Sequence, residues 1–279
     1  MTTMLSTGCD LNAQLATTTG TFDRTLSVSG PITLTVTTGS GDIAIRPGPD
    51  GAVHVTGRIR AHESLVGGLS ATEKVARLTA APPIAQDGAS VRIGAITDQA
   101  LQNNVSIDYE ITVPAATRVE SRSGSGDQTV GALNGPVDVS TGSGDVKVGP
   151  VKGNATIKTG SGEIELLGAT GEIEMRAGSG DLRASAVSGR VAARTASGDI
   201  QIEGTPTGDW SVGAASGDIT LRLPADAAFS IDASTSSGGF SATHRLDVVQ
   251  QSKHQLSGTA HGGGPRLKVS TASGDIRLD

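Results

Sequence analysis

The chain has 279 residues and a net charge of −6, and it combines 39 glycines with one Trp, one Tyr and three Phe. A thick globular core would have little to fill it, because aromatic side chains supply much of the buried area of such cores. Lys and Arg form no dense run, so nucleic acid is not a predicted partner. No stretch reaches the ~18 consecutive apolar residues that cross a bilayer.

Residues 1–21 are predicted to form a tail outside the folded domain. Within it, Leu5-Ser6-Thr7-Gly8-Cys9 resembles the end of a bacterial lipoprotein signal, although the aliphatic residue lies one place too early. Eight residues cannot supply the basic and apolar regions of such a signal, so the match requires an upstream or trimmed segment. Cys9 is a candidate lipidation site, and this anchor is the one predicted contact with a membrane. The alternative is an accidental tail of small residues.

Residues 22–279 are predicted to form one domain, of which residues 46–118 are irregular. A first Ser-Gly-Asp turn ends at Asp42, and the next such turn comes only at Asp127. Between them, Ser70-Ala71-Thr72-Glu73 is a capping box that predicts a short helix near residues 70–79. We expect this inserted helix to lie over the side or the end of the repeat, where it could block a sheet edge.

Residues 119–279 carry a regular repeat. A Ser-Gly-Asp turn, or its copy with Glu, recurs every 18 residues, with one extra residue in the last step. The acidic residues are Asp127, Asp145, Glu163, Asp181, Asp199 and Asp218. Apolar residues alternate with period two on both sides of each turn, as expected of strands with one buried face. The sequence therefore predicts an all-β, single-stranded parallel β-solenoid with ~18-residue coils, and the usual hand of parallel crossovers favours a right-handed coil.

Stacked coils would place equivalent outward side chains in columns. One column has alternating charges at Lys147, Glu165 and Arg183, which suits stacking. A second column is cationic at every position, namely Lys158, Arg176 and Arg194. We interpret it either as a solvated face or as a stripe that binds an anionic glycan or a teichoic acid.

The acidic column also has two interpretations. The carboxylates can accept hydrogen bonds from the amides of their own turns. They could instead form a calcium ladder, as in nonapeptide β-rolls, which also use 18 residues per coil. The spacing departs from that pattern, because each coil has one such turn and the Gly-Gly-x-Gly-x-Asp register is missing.

No constellation in the sequence predicts catalysis or a bound cofactor. His261-Gly262-Gly263-Gly264 is similar to the oxyanion loop of lipases, but no Gly-x-Ser-x-Gly elbow accompanies it. The histidines at positions 54, 62, 244, 254 and 261 show no paired metal spacing. A pectinase-like site on a β-helix face would need long loops to wall a cleft, and coils 127 to 218 leave little room for them.

Two segments carry a resemblance to a family. Asp108-Tyr109-Glu110-Ile111-Thr112-Val113-Pro114, leading into Ser123-Gly124-Ser125-Gly126-Asp127, resembles the start of the repeats in bacterial putative-adhesin domains of unknown function. Gly264-Pro265-Arg266-Leu267-Lys268-Val269 resembles the last coil of that family. The resemblance runs from about Phe22 to Asp279, and it implies a Ser-Gly-Asp repeat solenoid on an exported bacterial protein.

These patterns together predict a non-catalytic scaffold or adhesin-like protein of the cell envelope or surface. Its expected partner is an envelope polymer, a glycan, a protein or a second copy of the chain. The alternatives are a self-assembling filament like the bactofilins, a calcium-binding β-roll-like module and a polysaccharide-active β-helix enzyme.

Overall fold

A computed structural model describes residues 17–63, 68–94 and 96–279. The candidate lipidation site, Cys9, lies outside these residues. The elements before the repeat are β1 (Thr17–Ser27), β2 (Thr33–Ser40), β3 (Ile43–Gly48), β4 (Ala52–His62), α1 (Ala71–Ala80), β5 (Ile84–Asp87), β6 (Ser90–Ile93), α2 (Gln99–Gln102) and β7 (Val105–Pro114).

The repeat and the C-terminal part contribute a further eighteen strands. Those of the repeat are β8 (Arg118–Ser125), β9 (Gln128–Val130), β10 (Val137–Ser143), β11 (Val146–Val148), β12 (Ala155–Ser161), β13 (Ile164–Leu166), β14 (Glu172–Ser179), β15 (Leu182–Ser188), β16 (Arg190–Ser197), β17 (Ile200–Thr205), β18 (Trp210–Ser216) and β19 (Ile219–Arg222). The remaining strands are β20 (Phe229–Ser237), β21 (Phe240–Ala242), β22 (Asp247–Gln251), β23 (Gln255–Ala260), β24 (Arg266–Ser273) and β25 (Ile276–Leu278).

The strands of the described residues form two sheets. Sheet 1 has the order β1-β4-β7-β3-β9-β11-β13-β15-β17-β19-β25-β21. Sheet 2 has the order β22-β23-β20-β24-β18-β16-β14-β12-β10-β8-β2-β6-β5. Through the repeat, each coil contributes one strand to each sheet, and neighbouring coils pair in parallel. The prediction of an all-β fold with mostly parallel strands is confirmed.

Inward-facing side chains stack coil upon coil between the two sheets. In sheet 2, the strand register forms a continuous column, as the 18-residue spacing predicts, from Val137, Ala155, Ile173, Val191 and Trp210. In sheet 1, the register places Val146, Ile164, Leu182 and Ile200 in one column, as predicted. These residues are buried. The core is narrow because most inward positions carry small or β-branched side chains.

The N-terminal end departs from a purely parallel solenoid. Strands β1, β4 and β7 pair antiparallel and extend sheet 1 beyond the first coil. Residues 17–21 belong to β1, so the predicted tail of residues 1–21 is too long. Eleven paired positions along β1 and β4 hold these residues in the sheet, and no repeat signature could reveal that pairing.

The predicted helix is present as α1, with a complete capping box at Ser70 and Glu73. It packs on β1 and β4. A Cβ atom added at Gly20 would overlap the Val75 side chain, so the helix lies directly against the β1 backbone. Helix α1 therefore covers a face at the end of sheet 1.

The C-terminal coils do not stack in chain order. Strand β24 lies between β18 and β20, and β25 lies between β19 and β21. The final coil, residues 266–279, is thus inserted before the coil of residues 229–242. The stacking order therefore departs from the chain order at this end of the molecule. Antiparallel strands β23 and β22 then extend sheet 2 beyond β20.

Candidate functional site

The turns between the two sheets form a column along one side of the molecule, and glycine makes this column possible. The glycine that precedes each acidic residue has a positive φ, for example +133° at Gly180. A Cβ atom at Gly180 would overlap the carbonyl oxygen of Gly162 in the neighbouring coil. Glycine is therefore required both by the backbone conformation and by the close approach of successive turns.

The acidic residues form a hydrogen-bonded ladder between coils. Each aspartate Oδ1 accepts the backbone N–H of the residue at the same position in the next coil, so the bond links two turns. The N–Oδ1 pairs are Asp42–Asp108 (3.1 Å), Asp127–Asp42 (3.0 Å), Asp145–Asp127 (2.9 Å), Glu163–Asp145 (2.7 Å), Asp199–Asp181 (2.9 Å), Asp218–Asp199 (2.8 Å), Asp275–Asp218 (2.8 Å) and Gly239–Asp275 (2.8 Å).

This geometry corrects the prediction that each carboxylate caps the amides of its own turn. The difference matters because an intercoil bond ties the stack together, whereas a local bond would stabilise a single turn. The ladder also extends beyond the predicted turns, because Asp108 in β7 lies next to Asp42 in the stack and accepts its backbone N–H. Asp108 follows no Ser-Gly pair, so the turn motif could not identify it.

The ladder has one gap, at Glu163. Its amide donates to Asp145, but its own carboxylate accepts from Arg183 and makes no described bond to the amide of Asp181. Glutamate is one methylene longer than aspartate, so its carboxylate extends past the next amide. Arg183 also donates to Asp181 Oδ2 at 2.9 Å and so bridges the two coils at the gap.

A threonine column runs beside the aspartate ladder. Thr195 Oγ1 donates to the carbonyl oxygens of Gly180 and Ser197, each at 3.1 Å. Equivalent bonds from Thr141 and Thr271 satisfy other turn carbonyls. The period of two along these strands predicts that the threonines face inward, but it does not predict that they donate to the turns. Aspartates and threonines together satisfy both donors and acceptors of the turn column.

The ladder carboxylates already accept hydrogen bonds, and this affects whether they could bind a metal ion or act as acids. Within residues 17–63, 68–94 and 96–279, no group of three or more His, Cys, Asp or Glu side chains is arranged to hold a metal ion. The amide of Asp275 lowers the pKa of Asp218 by donating to its carboxylate, and Arg277 contributes to the same effect. A lowered pKa keeps that carboxylate charged and suits an acceptor rather than a general acid.

The outward columns carry ion pairs between coils. In sheet 1, Lys147 Nζ lies 2.6 Å from Glu165 Oε2, as the alternating charges predict. In sheet 2, Lys158 and Arg176 share Glu174, at 3.4 Å and 2.9 Å. Glu174 therefore neutralises part of the predicted cationic column.

Histidines in the described part of the chain contact backbone carbonyls, a carboxylate or threonine hydroxyls. His261 Nε2 lies 3.0 Å from the carbonyl oxygen of Ala225, and His54 Nε2 lies 3.1 Å from Asp23 Oδ2. The glycine-rich loop after His261 leads into β24. His54 thus lies between a hydroxyl and a carboxylate, since its Nδ1 is 3.1 Å from Thr25 Oγ1, and all three side chains are exposed on the outer face of β1 and β4.

Two β-sheets of stacked coils, bonded through their turns, define a solenoid-like repeat domain. A family model described as Toastrack DUF4097 matches residues 88–279. Because this match covers more than half of the chain, the protein belongs to that family, a domain of unknown function. The predicted resemblance is confirmed to this extent, although the match begins at residue 88 rather than near Phe22. The Ser-Gly-Asp repeat as a family character stays a prediction.

The chain also resembles solved bacterial structures along most of its length. A putative adhesin from Bacteroides fragilis is 14% identical, with a TM-score of 0.48, and the match covers 93% of this chain and 97% of that one. A putative lipid binding protein from Parabacteroides distasonis is 12% identical, with a TM-score of 0.47 and the same two coverages. Such low values support no inference about function. No curated protein matches the chain, and no helix of the described residues is long and apolar enough to cross a membrane.

Proposed function

We propose that this protein is a non-catalytic, adhesin-like scaffold of the bacterial cell envelope or surface, which binds a partner through its outer faces. The observation that carries the proposal is the aspartate ladder. The residues that the sequence offers as a catalytic or calcium-binding series are engaged in bonds between coils. What the stack leaves free is a pair of outer surfaces on which side chains recur at roughly 4.8 Å, the spacing of paired strands.

The location and the finer architecture belong to the same proposal. Export, with lipid on Cys9, would place the outer faces where envelope polymers are available. An 18-residue separation between paired positions such as Val137 and Ala155 supports a coil of about that length. We also propose a right-handed coil, for which the general preference of parallel crossovers is the support.

The proposal is tested by co-sedimentation of the full chain with purified bacterial envelope material, combined with analysis of the supernatant for released fragments. We expect saturable binding and no release of soluble sugars. Asp145→Asn, which keeps an acceptor oxygen in the ladder, should bind like the wild type. Release of glycan fragments that disappears in Asp145→Asn would establish an enzyme instead. Absence of binding to every envelope fraction would also refute the proposal.

Self-assembly is a second candidate, and one feature favours it. Strand β22 forms an edge of sheet 2, and its Val249 side chain is 82% exposed. An exposed apolar edge strand is a template for pairing with a second chain. Sedimentation velocity should then show association that rises with protein concentration and is lost in Val249→Lys. A monomer at all concentrations would exclude this candidate.

A further inference from the structure

Sheet 2 has a groove on its outer face, above β18. The outward positions of β18 carry the small residues Ser211 and Gly213. Ser211 lies between Ala192 and Lys268, and Gly213 lies between Arg194 and Ser270. A Cβ atom at Gly213 would make only an ordinary van der Waals contact with Ser270 Oγ, at 3.5 Å. The part of the groove beside Ser211 has a volume of about 330 Å³ and is lined by Arg190, Asp209, Arg266 and Lys268 among others. Gly213 and Arg194 lie beyond this part, in the next outward row.

Long cationic side chains border this floor. Arg190 and Arg194 project from β16, and Arg266 and Lys268 project from β24. All four residues are exposed. The two walls are two strand spacings apart, which is roughly 10 Å. Because the last coil is inserted beside β18, Arg266 and Lys268 lie across the groove from Arg190 and Arg194.

These cations are largely free of neutralising partners. Among the described residues, Arg194, Arg266 and Lys268 make no ion pair, and Arg190 makes one long contact of 3.7 Å with exposed Glu172. The acidic residue in the lining is Asp209, whose Oδ1 accepts the backbone N–H of Arg266 at 2.9 Å.

One further carboxylate lies close to the groove. Asp232 on β20 pairs in register with Lys268 on its far side, and it makes no ion pair in the described part of the chain. The four cations stand against the three carboxylates of Asp209, Asp232 and Glu172, which leaves a net charge of +1 around the groove on a molecule whose overall charge is −6. Such an excess attracts an anion locally against the net charge of the protein.

The distances favour an extended ligand. Arg190 and Arg194 are four residues apart on one strand, so their positions are separated by roughly 13 Å. A single phosphate group cannot contact both ends of the groove, whereas successive charges of a chain can. Three of the four cations are arginines, whose planar guanidinium groups bind phosphate oxygens in pairs.

We propose that this groove binds a polyol-phosphate polymer, a linear chain with phosphodiester charges along its length; this inference rests on the proposed scaffold function and specifies its ligand. Nucleic acid is a poorer fit, because stacking on exposed aromatic rings is the usual means of holding single strands. Phe22, Tyr109, Trp210 and Phe229 are buried, and Phe240 is partly buried.

The test measures binding of poly(glycerol phosphate) to the full chain by isothermal titration calorimetry at low and at physiological salt. The groove variant is Arg194→Ala/Lys268→Ala. Its matched control is Lys152→Ala/Lys253→Ala, which removes two exposed cations elsewhere. Ser211→Glu, which adds a second carboxylate to the lining beside that of Asp209, is a second groove variant. Equal melting temperatures of all variants verify their folding.

We expect the wild type to bind and to lose affinity as salt rises, because salt screens exposed charges. Both groove variants should bind at least tenfold more weakly, and the control should remain within twofold of the wild type. Equal losses in groove and control variants would refute a defined site. Equal affinity for oligo-dT or for phosphatidylglycerol vesicles would refute the assigned ligand class. If the wild type binds envelope material but not the polymer, this inference fails and the scaffold function stands.

Discussion

Replacing Gly180 by alanine tests whether the close stacking of turns stabilises the fold. Gly180 has a φ of +133°, and its carbonyl oxygen accepts from Thr195 of the next coil. An alanine Cβ would overlap the carbonyl oxygen of Gly162, which belongs to the backbone and cannot rotate away. The two turns must therefore separate or the residue must change its conformation.

The expected loss follows from these two effects. A non-glycine residue held in a sparsely populated backbone region costs about 1–3 kcal/mol. Overpacking against an ordered neighbour costs a further ~1–3 kcal/mol. Gly180→Ala should therefore lower the free energy of unfolding by about 2–6 kcal/mol.

The control is Gly39→Ala, because Gly39 has no positive φ and a Cβ atom there meets nothing within 4 Å. This variant should stay within about 0.5 kcal/mol of the wild type. Urea unfolding followed by the fluorescence of Trp210, the single and buried tryptophan, measures both. A Gly180→Ala protein as stable as Gly39→Ala would refute the reasoning.

Three further predictions concern the ladder. Glu163→Asp should raise the free energy of unfolding in urea by about 1 kcal/mol, because the shorter carboxylate gains a charge-assisted bond to the amide of Asp181. This gain outweighs the loss of an exposed ion pair with Arg183. A less stable variant would contradict the interpretation of Glu163 as a gap in the ladder. The amide of Asp275 lowers the pKa of Asp218, so this carboxyl stabilises the fold above its unfolded pKa of about 4, and the contribution disappears as the pH falls through the lower folded value. Asp218→Asn should therefore flatten the dependence of melting temperature on pH below about 4, and an unchanged acid profile would exclude this role. Removal of divalent ions with EDTA should leave the melting temperature unchanged, whereas a rise of several degrees with Ca²⁺ would support the calcium ladder.

Local patterns in the sequence determined the repeat and much of its core. Val137 and Ala155 could be placed in one column because the period of two sets which side chains face inward and the 18-residue spacing sets their register. The helix α1 could be placed from Ser70 and Glu73, since a capping box is a local device. Both rest on interactions between residues close in sequence or at equivalent positions of the repeat.

The identity of each coil's neighbour was decided only by the tertiary structure. Every coil offers similar strand edges, so periodicity could not predict that β24 inserts beside β18. That insertion brings Arg266 and Lys268 opposite Arg190 and Arg194, and the groove between them exists only after this long-range pairing. The aspartate ladder is a related case, because a carboxylate on a turn can accept from its own amides or from those of the next coil. The choice depends on the distance between stacked backbones, which is a property of the assembled fold.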